Sequence, residues 1–267
     1  MKCTELIKHL EQLAPVSYAC SWDNPGLLAG RGEKEVRKIL IALDATDEVV
    51  DLAVKEGCDV LLTHHPLIFG SIKKVNDQDF IGRRLVKLIQ ADISYYAMHT
   101  NFDIAPGCMA DLAGDRMRLT DRQPLEKTGE DEAAGKSYGI GVCGNLEKEM
   151  GLKELALTVK GRFGLPFVNV YGADGFCGSI TRVALCPGSG KGMSQHALAL
   201  GAQVLITGDI GHHEGIDAAA LGLAVIDGGH YGLEHMFIDF MEQYIREHID
   251  PQLEIKKAPA AFPVTAW

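Results

Sequence analysis

Cys58-Asp59-Val60-Leu61-Leu62-Thr63-His64-His65-Pro66 and Ala202-Gln203-Val204-Leu205-Ile206-Thr207-Gly208-Asp209 decide the reading of this chain. Each has a short aliphatic run of the kind that fills a strand buried on both faces, and each empties into polar residues at its carboxyl end. Working outward from the first, Lys38-Ile39-Leu40-Ile41-Ala42-Leu43-Asp44 reads as a strand and 46–56 as a helix stopped by Gly57. A second helix over 80–91 leads to strand Ile93-Ser94-Tyr95-Tyr96-Ala97-Met98, which opens onto His99-Thr100-Asn101-Phe102-Asp103. Around the second run the same order returns: strand Thr181-Arg182-Val183-Ala184-Leu185-Cys186, a helix over 193–200 stopped by Gly201, and a helix over 214–221. Strand Leu223-Ala224-Val225-Ile226-Asp227 then delivers Gly228-Gly229-His230. Strands alternating with helices predict an α/β fold with mixed sheets. The repeated order predicts two similar lobes related by an internal duplication, although two ordinary βαβ units would also look alike by chance.

The rest of the chain fits around these blocks. Residues 4–13 have helical spacing (Leu6, Ile7, Leu10, Leu13) and stop at Ala14-Pro15, and 21–28 reads as a loop rich in turn formers. A strand-like stretch at 167–171 belongs to the second half. The polar, glycine-containing stretch 127–136 is the expected connection between domains. That gives an N-terminal lobe, 1–126, carrying His64, His65 and Asp103, and a C-terminal lobe, 127–267, carrying His230 and Glu234.

Composition narrows the function. Apolar residues make up 46% and charged residues 23% of 267, which is ordinary for a soluble globular protein. No apolar run reaches membrane-spanning length, and Met1-Lys2-Cys3-Thr4-Glu5-Leu6-Ile7 lacks the apolar core of a secretory signal. Seven scattered cysteines with no C-x-x-C pair point to reduced thiols and a cytoplasmic location rather than to a disulfide framework or a cysteine zinc site. Cys186, inside an apolar run, is expected to be buried as a small hydrophobe. A net charge of −10 disfavours nucleic acid and anionic lipid as partners, whereas bound dications would offset it.

In open α/β sheets functional groups gather at the carboxyl ends of strands. Three such ends carry clusters here: His64-His65, His99 with Asp103, and His230 with Glu234. Adjacent histidines on a continuing strand would face opposite ways, but Pro66 holds His65 extended or in a turn, so the doublet can splay toward two ions. His230 and Glu234, four apart at the head of the amphipathic run 233–245, can share one helical face. Imidazole with carboxylate suits zinc, manganese, iron, cobalt or nickel. Even with Asp103 or Glu234 bridging, the five side chains His64, His65, Asp103, His230 and Glu234 would leave two coordination shells open, the signature of catalytic rather than structural sites. Against this stands the plain alternative of hydrogen-bonded structural histidines.

Five blocks together resemble one family: Trp22-Asp23-Asn24-Pro25-Gly26-Leu27-Leu28, Leu62-Thr63-His64-His65-Pro66-Leu67-Ile68-Phe69, His99-Thr100-Asn101-Phe102-Asp103, Thr207-Gly208-Asp209 with His212-His213, and Gly229-His230-Tyr231 with Glu234. The chain resembles the GTP cyclohydrolase 1 type 2 homologs, also called the Ngg-one-interacting-factor-three family, from Trp22 to Glu234 in order. The resemblance implies a two-lobed α/β protein with two divalent metal ions in the cleft between lobes, often assembled as a homohexameric ring. It implies the ligands His64, His65, Asp103, His230 and Glu234, with the carboxylates as bridges. The short middle of this chain implies that the large central insertion of some members is absent.

Secondary candidates are His99, as a proton-transfer group or a partner of a ligand; Asp209, His212 and His213, beside the second strand end; and Trp22, which could stack on a planar base or pack on its own domain. The loop Pro187-Gly188-Ser189-Gly190-Lys191-Gly192 could cradle an anion but fails the Walker spacing, and a tight turn needing positive φ also explains it. The resulting expectation is a metal-dependent hydrolase in which the ion pair generates hydroxide for a nucleotide-like small molecule. A non-catalytic metal-binding adaptor, storage or delivery protein is the alternative.

Overall fold

The computed structural model describes residues 1–131 and 135–267. In chain order the elements are α1 (Cys3–Leu13), β1 (Gly26–Ala29), β2 (Lys38–Ala42), α2 (Asp47–Lys55), β3 (Val60–Thr63), α3 (Phe80–Gln90), β4 (Ser94–Ala97) and α4 (Thr100–Ile104). Then follow α5 (Met109–Arg116), β5 (Thr120–Asp131), β6 (Lys136–Met150), α6 (Leu152–Phe163), β7 (Asn169–Tyr171), β8 (Ile180–Cys186) and α7 (Met193–Ala199). The chain ends with β9 (Val204–Thr207), α8 (His212–Ala220), β10 (Ala224–Asp227), α9 (His230–Glu234), α10 (Met236–His248) and β11 (Glu254–Lys257). Two compact units form: Met1–Phe102 with His235–Ala260, and Asp103–Glu234 with Ala261–Trp267. Among the described residues no helix is long and apolar enough to cross a membrane.

The first unit is built on a sheet of order β1-β4-β3-β2-β11. Strands β11, β2, β3 and β4 run parallel, and β1 lies antiparallel on β4. All four residues of β3 are buried, as its uninterrupted aliphatic run requires of a strand covered on both faces. Leu40, Leu61 and Tyr95 of the sheet pack with Val50 and Ala53 of α2 and Leu85 and Leu88 of α3. Helix α2 starts where Thr46 accepts a hydrogen bond from the Val49 amide at 3.3 Å, with Asp47 and Glu48 in its first turn.

The second unit is built on a sheet of order β5-β6-β8-β9-β10-β7, in which β8, β9 and β10 are parallel and the other pairings antiparallel. Its core joins Ala184, Leu205 and Val225 to Ala197 of α7 and Ala218 of α8. Both sheets contain the same arrangement: three parallel strands joined through helices, with the strand that precedes them lying antiparallel beside the last (β1-β4-β3-β2 and β7-β10-β9-β8). Register then aligns the strand ends. Ala42, Thr63 and Ala97 stand side by side in one sheet, and Cys186, Thr207 and Asp227 in the other. Whatever follows those residues in sequence emerges at one edge of each sheet.

Two expectations need correction. Residues 127–131 and 136 are not a connection: Lys127 pairs with Gly139 and Asp131 with Lys136 in the β5–β6 hairpin, while 132–134 lie outside the described residues. The side chains of Lys127, Thr128 and Glu130 are exposed, so a surface hairpin there has the polar composition of a linker. The expected division at 126/127 therefore falls inside a hairpin. The chain changes unit at 102/103 and 234/235 instead, because α10 and β11 return to the first sheet. The stretch 21–28, expected as a loop, also contributes the start of β1, which survives on edge pairing alone.

Candidate metal centre

In the first unit, His64 and His65 follow the last residue of β3. The His64 Nδ1–H donates to the Met98 carbonyl at 2.7 Å, just past the end of β4. The His65 Nδ1–H donates to Asp44 Oδ1 at 2.7 Å, two residues past the end of β2. Three neighbouring strand ends thus meet, as the parallel register dictates. A hydrogen bond at Nδ1 fixes the tautomer and puts the ring lone pair on Nε2, which is how ligating histidines are oriented toward metals. The splay of the doublet is set by its backbone. The His65 amide donates to Leu43 at 2.9 Å, and the His65 carbonyl accepts from Thr63 Oγ1 at 2.8 Å and from the Tyr95 hydroxyl at 2.9 Å. The two imidazoles end with centroids 4.9 Å apart, tilted by 47°, rather than on opposite faces.

His99 joins them from the end of β4. One ligand-capable atom each from His64, His65 and His99 lies within 4.8 Å of the others. The His99 Nδ1–H donates to Asp23 Oδ1 at 2.8 Å, and Asp23 Oδ2 accepts from the Thr100 amide at 3.0 Å and the Thr100 hydroxyl at 2.6 Å. Burial alone would raise the Asp23 carboxyl, whose side chain is fully enclosed; the hydrogen bonds from His99 and Thr100, with the charge His99 carries when protonated, overcome it and hold the group at about 2.

In the second unit, α9 carries both expected residues on one turn, with His230 Nε2 at 3.2 Å from Glu234 Oε2. Glu234 is buried, and His230 is half-buried. Asp209, at the end of β9, adopts φ of +52° and reaches His230, accepting from its amide at 3.4 Å and standing 3.4 Å from Nδ1. Asp227 holds the turn by accepting from the amides of Asp209, Ile210 and Gly229. Asp103 and Glu234 both act on Cys186: burial pushes the thiol up and the two carboxylates push it further. Cys186 is therefore a protonated, packed side chain, as its apolar setting suggested.

The glycine loop serves these groups. Gly188, Gly190 and Gly192 all have positive φ, the turn geometry expected of them. A Cβ on Gly188 would stand 2.8 Å from Glu234 Oε1 and 3.7 Å from His230 Nε2, so only glycine leaves that space beside the carboxylate. His212 and His213 open α8 and are exposed, their rings 5.2 Å apart; among the described residues they join no cluster suited to a metal.

Each group fits a divalent ion by its own chemistry. The first unit offers imidazole nitrogens with assigned tautomers, and the second an imidazole beside a buried carboxylate with a Cβ-free cradle, both suited to nitrogen–oxygen ligation of a borderline metal. Asp23 and Asp44, the carboxylate partners of His99 and His65, were not singled out in the sequence. The signal was present, since Asp44 ends a buried strand run as the His64-His65 doublet does.

Comparison with known proteins agrees with the fold and with the family resemblance. The chain is 33% identical over 254 residues to a protein of Clostridium perfringens named GTP cyclohydrolase 1 type 2 homolog, covering 95% of each. The crystal structure of a Staphylococcus aureus hypothetical protein superposes with TM-score 0.88 at 29% identity, covering 100% of this chain and 99% of the other. That of a Bacillus cereus protein related to NIF3 superposes with TM-score 0.92 at 24% identity over the same shares, a likeness of fold. Residues 1–261 match the family described as Duf34/NIF3 (NGG1p interacting factor 3), and with that match spanning nearly the whole chain, the chain belongs to this family.

Proposed function

We propose that this chain is a dinuclear metal hydrolase acting on a nucleotide-like small molecule, with His64, His65, Asp103, His230 and Glu234 as the ligands. The observation that carries the reading is the strand-end histidine group, in which His64 and His65 each have Nδ1 tied to an acceptor so that Nε2 is the nitrogen offered to a metal. That all five residues serve one centre is what the family resemblance implies. Within the first unit, Phe102 and Phe237 pack on the His64 ring, with centroids 6.1 and 5.3 Å away, and help to fix it.

Two bound dications would supply Lewis acidity, polarising the bond to be cleaved and acidifying water. The chain supplies orientation and proton handling. Asp44 and the Met98 carbonyl keep the doublet's rings in place. His99, its Nδ1–H committed to Asp23, carries its lone pair on Nε2 and is the group that takes a proton there, with the Asp23 carboxylate stabilising the resulting imidazolium. A nucleotide-like substrate is suggested by the names of the relatives. The homo-oligomeric ring implied by the family resemblance is part of the same reading and is checked by sedimentation.

The test is turnover of a metabolite panel that includes nucleoside triphosphates by metal-loaded protein. Hydrolysis that disappears in Asp103→Ala and Glu234→Ala supports the reading. Tight binding of two metal ions without turnover of nucleotides, phosphoesters or amides refutes the hydrolase and leaves a storage or delivery role.

A further inference from the structure

We propose that Trp22 and Phe69 form a platform for the planar heteroaromatic ring of a small-molecule ligand, held beside His99. Both side chains are large, apolar and open to solvent, with Trp22 63% and Phe69 54% exposed. Each meets the same imidazole nearly perpendicularly: the Trp22 and His99 centroids are 6.0 Å apart at 75°, and those of Phe69 and His99 are 5.7 Å apart at 84°. His99 is in turn 5.3 Å from the His64 ring and 5.5 Å from that of His65. Two exposed aromatics therefore flank one member of the histidine group.

The loop carrying Trp22 is anchored on both sides of it. Cys20 N–H donates to Thr100 Oγ1 at 2.9 Å, and the neighbouring Asp23 carboxylate is fully enclosed and bonded to His99 and Thr100. Asn24 Nδ2 donates to the Ile68 carbonyl at 2.8 Å, stapling this loop to the one that carries Phe69. An exposed tryptophan on a mobile loop would be an accident of surface composition. Here the backbone is held and the indole is left outside, which is preorganisation: the ordering cost of a stacking partner is already met before a ligand arrives. Aromatic faces recognise other π-systems by stacking, and the preference is for planar rings over saturated groups. The position beside the histidines favours a small molecule, since a macromolecule covering both rings would also cover His99.

The ligand's being a substrate rests on the metal-centre reading; ring binding itself does not. The test uses full-length protein carrying Trp267→Phe, so that Trp22 is the sole tryptophan reporter, with metal content measured on the same samples. Guanosine 5′-monophosphate and adenosine 5′-monophosphate are the probes, and ribose 5-phosphate is the ringless control. Expected are saturable quenching of Trp22 emission by the nucleotides and not by the control. By calorimetry, affinity should fall about tenfold to a hundredfold in Trp22→Ala and in Phe69→Ala, with metal content unchanged and with Trp22→Phe restoring most of the binding. Equal response to ribose 5-phosphate, binding unaffected in both alanine variants, or Trp22 emission that follows protein concentration alone (a second copy covering the face) would each overturn the platform. Protein that binds no metal yet shows ring-specific quenching would overturn the metal reading while sustaining the platform.

Discussion

Replacing Tyr95 with phenylalanine removes one oxygen from the core and isolates what holds the histidine doublet in place. Tyr95 is fully buried; its hydroxyl accepts from the Leu67 amide at 2.8 Å, donates to the His65 carbonyl at 2.9 Å and lies 2.9 Å from Thr63 Oγ1. The ring keeps its packing in the variant. Thr63 still donates to His65 at 2.8 Å, so that carbonyl keeps a partner. The Leu67 amide loses its acceptor in a site only 8% exposed. Losing a neutral hydrogen bond costs about 1 kcal/mol and leaving a buried N–H unsatisfied a further ~1–3, for a total of about 2–4 kcal/mol. Urea denaturation should show a destabilisation in that range, and exchange of the Leu67 amide should accelerate by about thirtyfold or more, at tenfold per 1.4 kcal/mol. A loss below about 0.5 kcal/mol with Leu67 protection unchanged refutes the reasoning, because the hydroxyl network would then be idle.

Other outcomes follow from the same geometry. Asp44→Ala leaves His65 without its carboxylate partner and should weaken metal binding by about ten- to hundredfold, read by competition with a chromophoric chelator. Gly188→Ala puts a methyl group 2.8 Å from Glu234 Oε1 at a φ of +83°. It should cost about 1–2 kcal/mol from backbone strain alone and lower metal occupancy, and wild-type occupancy would show that the cradle is unnecessary. Asp23 titrates at about 2 in the folded chain against an ordinary 3.8, worth about 2 kcal/mol. Because the folded value is depressed, this stabilisation is full above about pH 4 and disappears as pH falls through 2. The stability gap between wild type and Asp23→Asn should therefore be flat at neutral pH and close in acid, whereas a gap that widens in acid contradicts the sign.

Much of this could be read from the chain because burial writes plainly into sequence. Strands β2, β3, β8, β9 and β10 are covered on both faces, so their aliphatic runs and polar exits at His64, Asp209 and His230 stood out. The repeated strand order was legible for the same reason. The β5–β6 hairpin was not, since its exposed side chains carry no alternation and its glycine mimics a linker. The return of α10 and β11 to the first sheet was hidden because pairing partners more than two hundred residues apart leave no local signal. At the centre, residue types announced the ligand candidates, whereas of the partners that orient the histidines only Asp44 left a signal, at the end of a buried strand run: Asp23 is a single acid in a loop, and the Met98 acceptor is a backbone carbonyl.

The proposed metal centre draws its ligands from distant parts of the chain. Native mass spectrometry of protein stripped with chelator and reloaded with zinc or manganese measures this directly. Two ions per chain are predicted, with at least one lost in His64→Ala and in His230→Ala. A chain that stays metal-free at saturating dication, or that keeps both ions when His64 and His230 are replaced together, contradicts it.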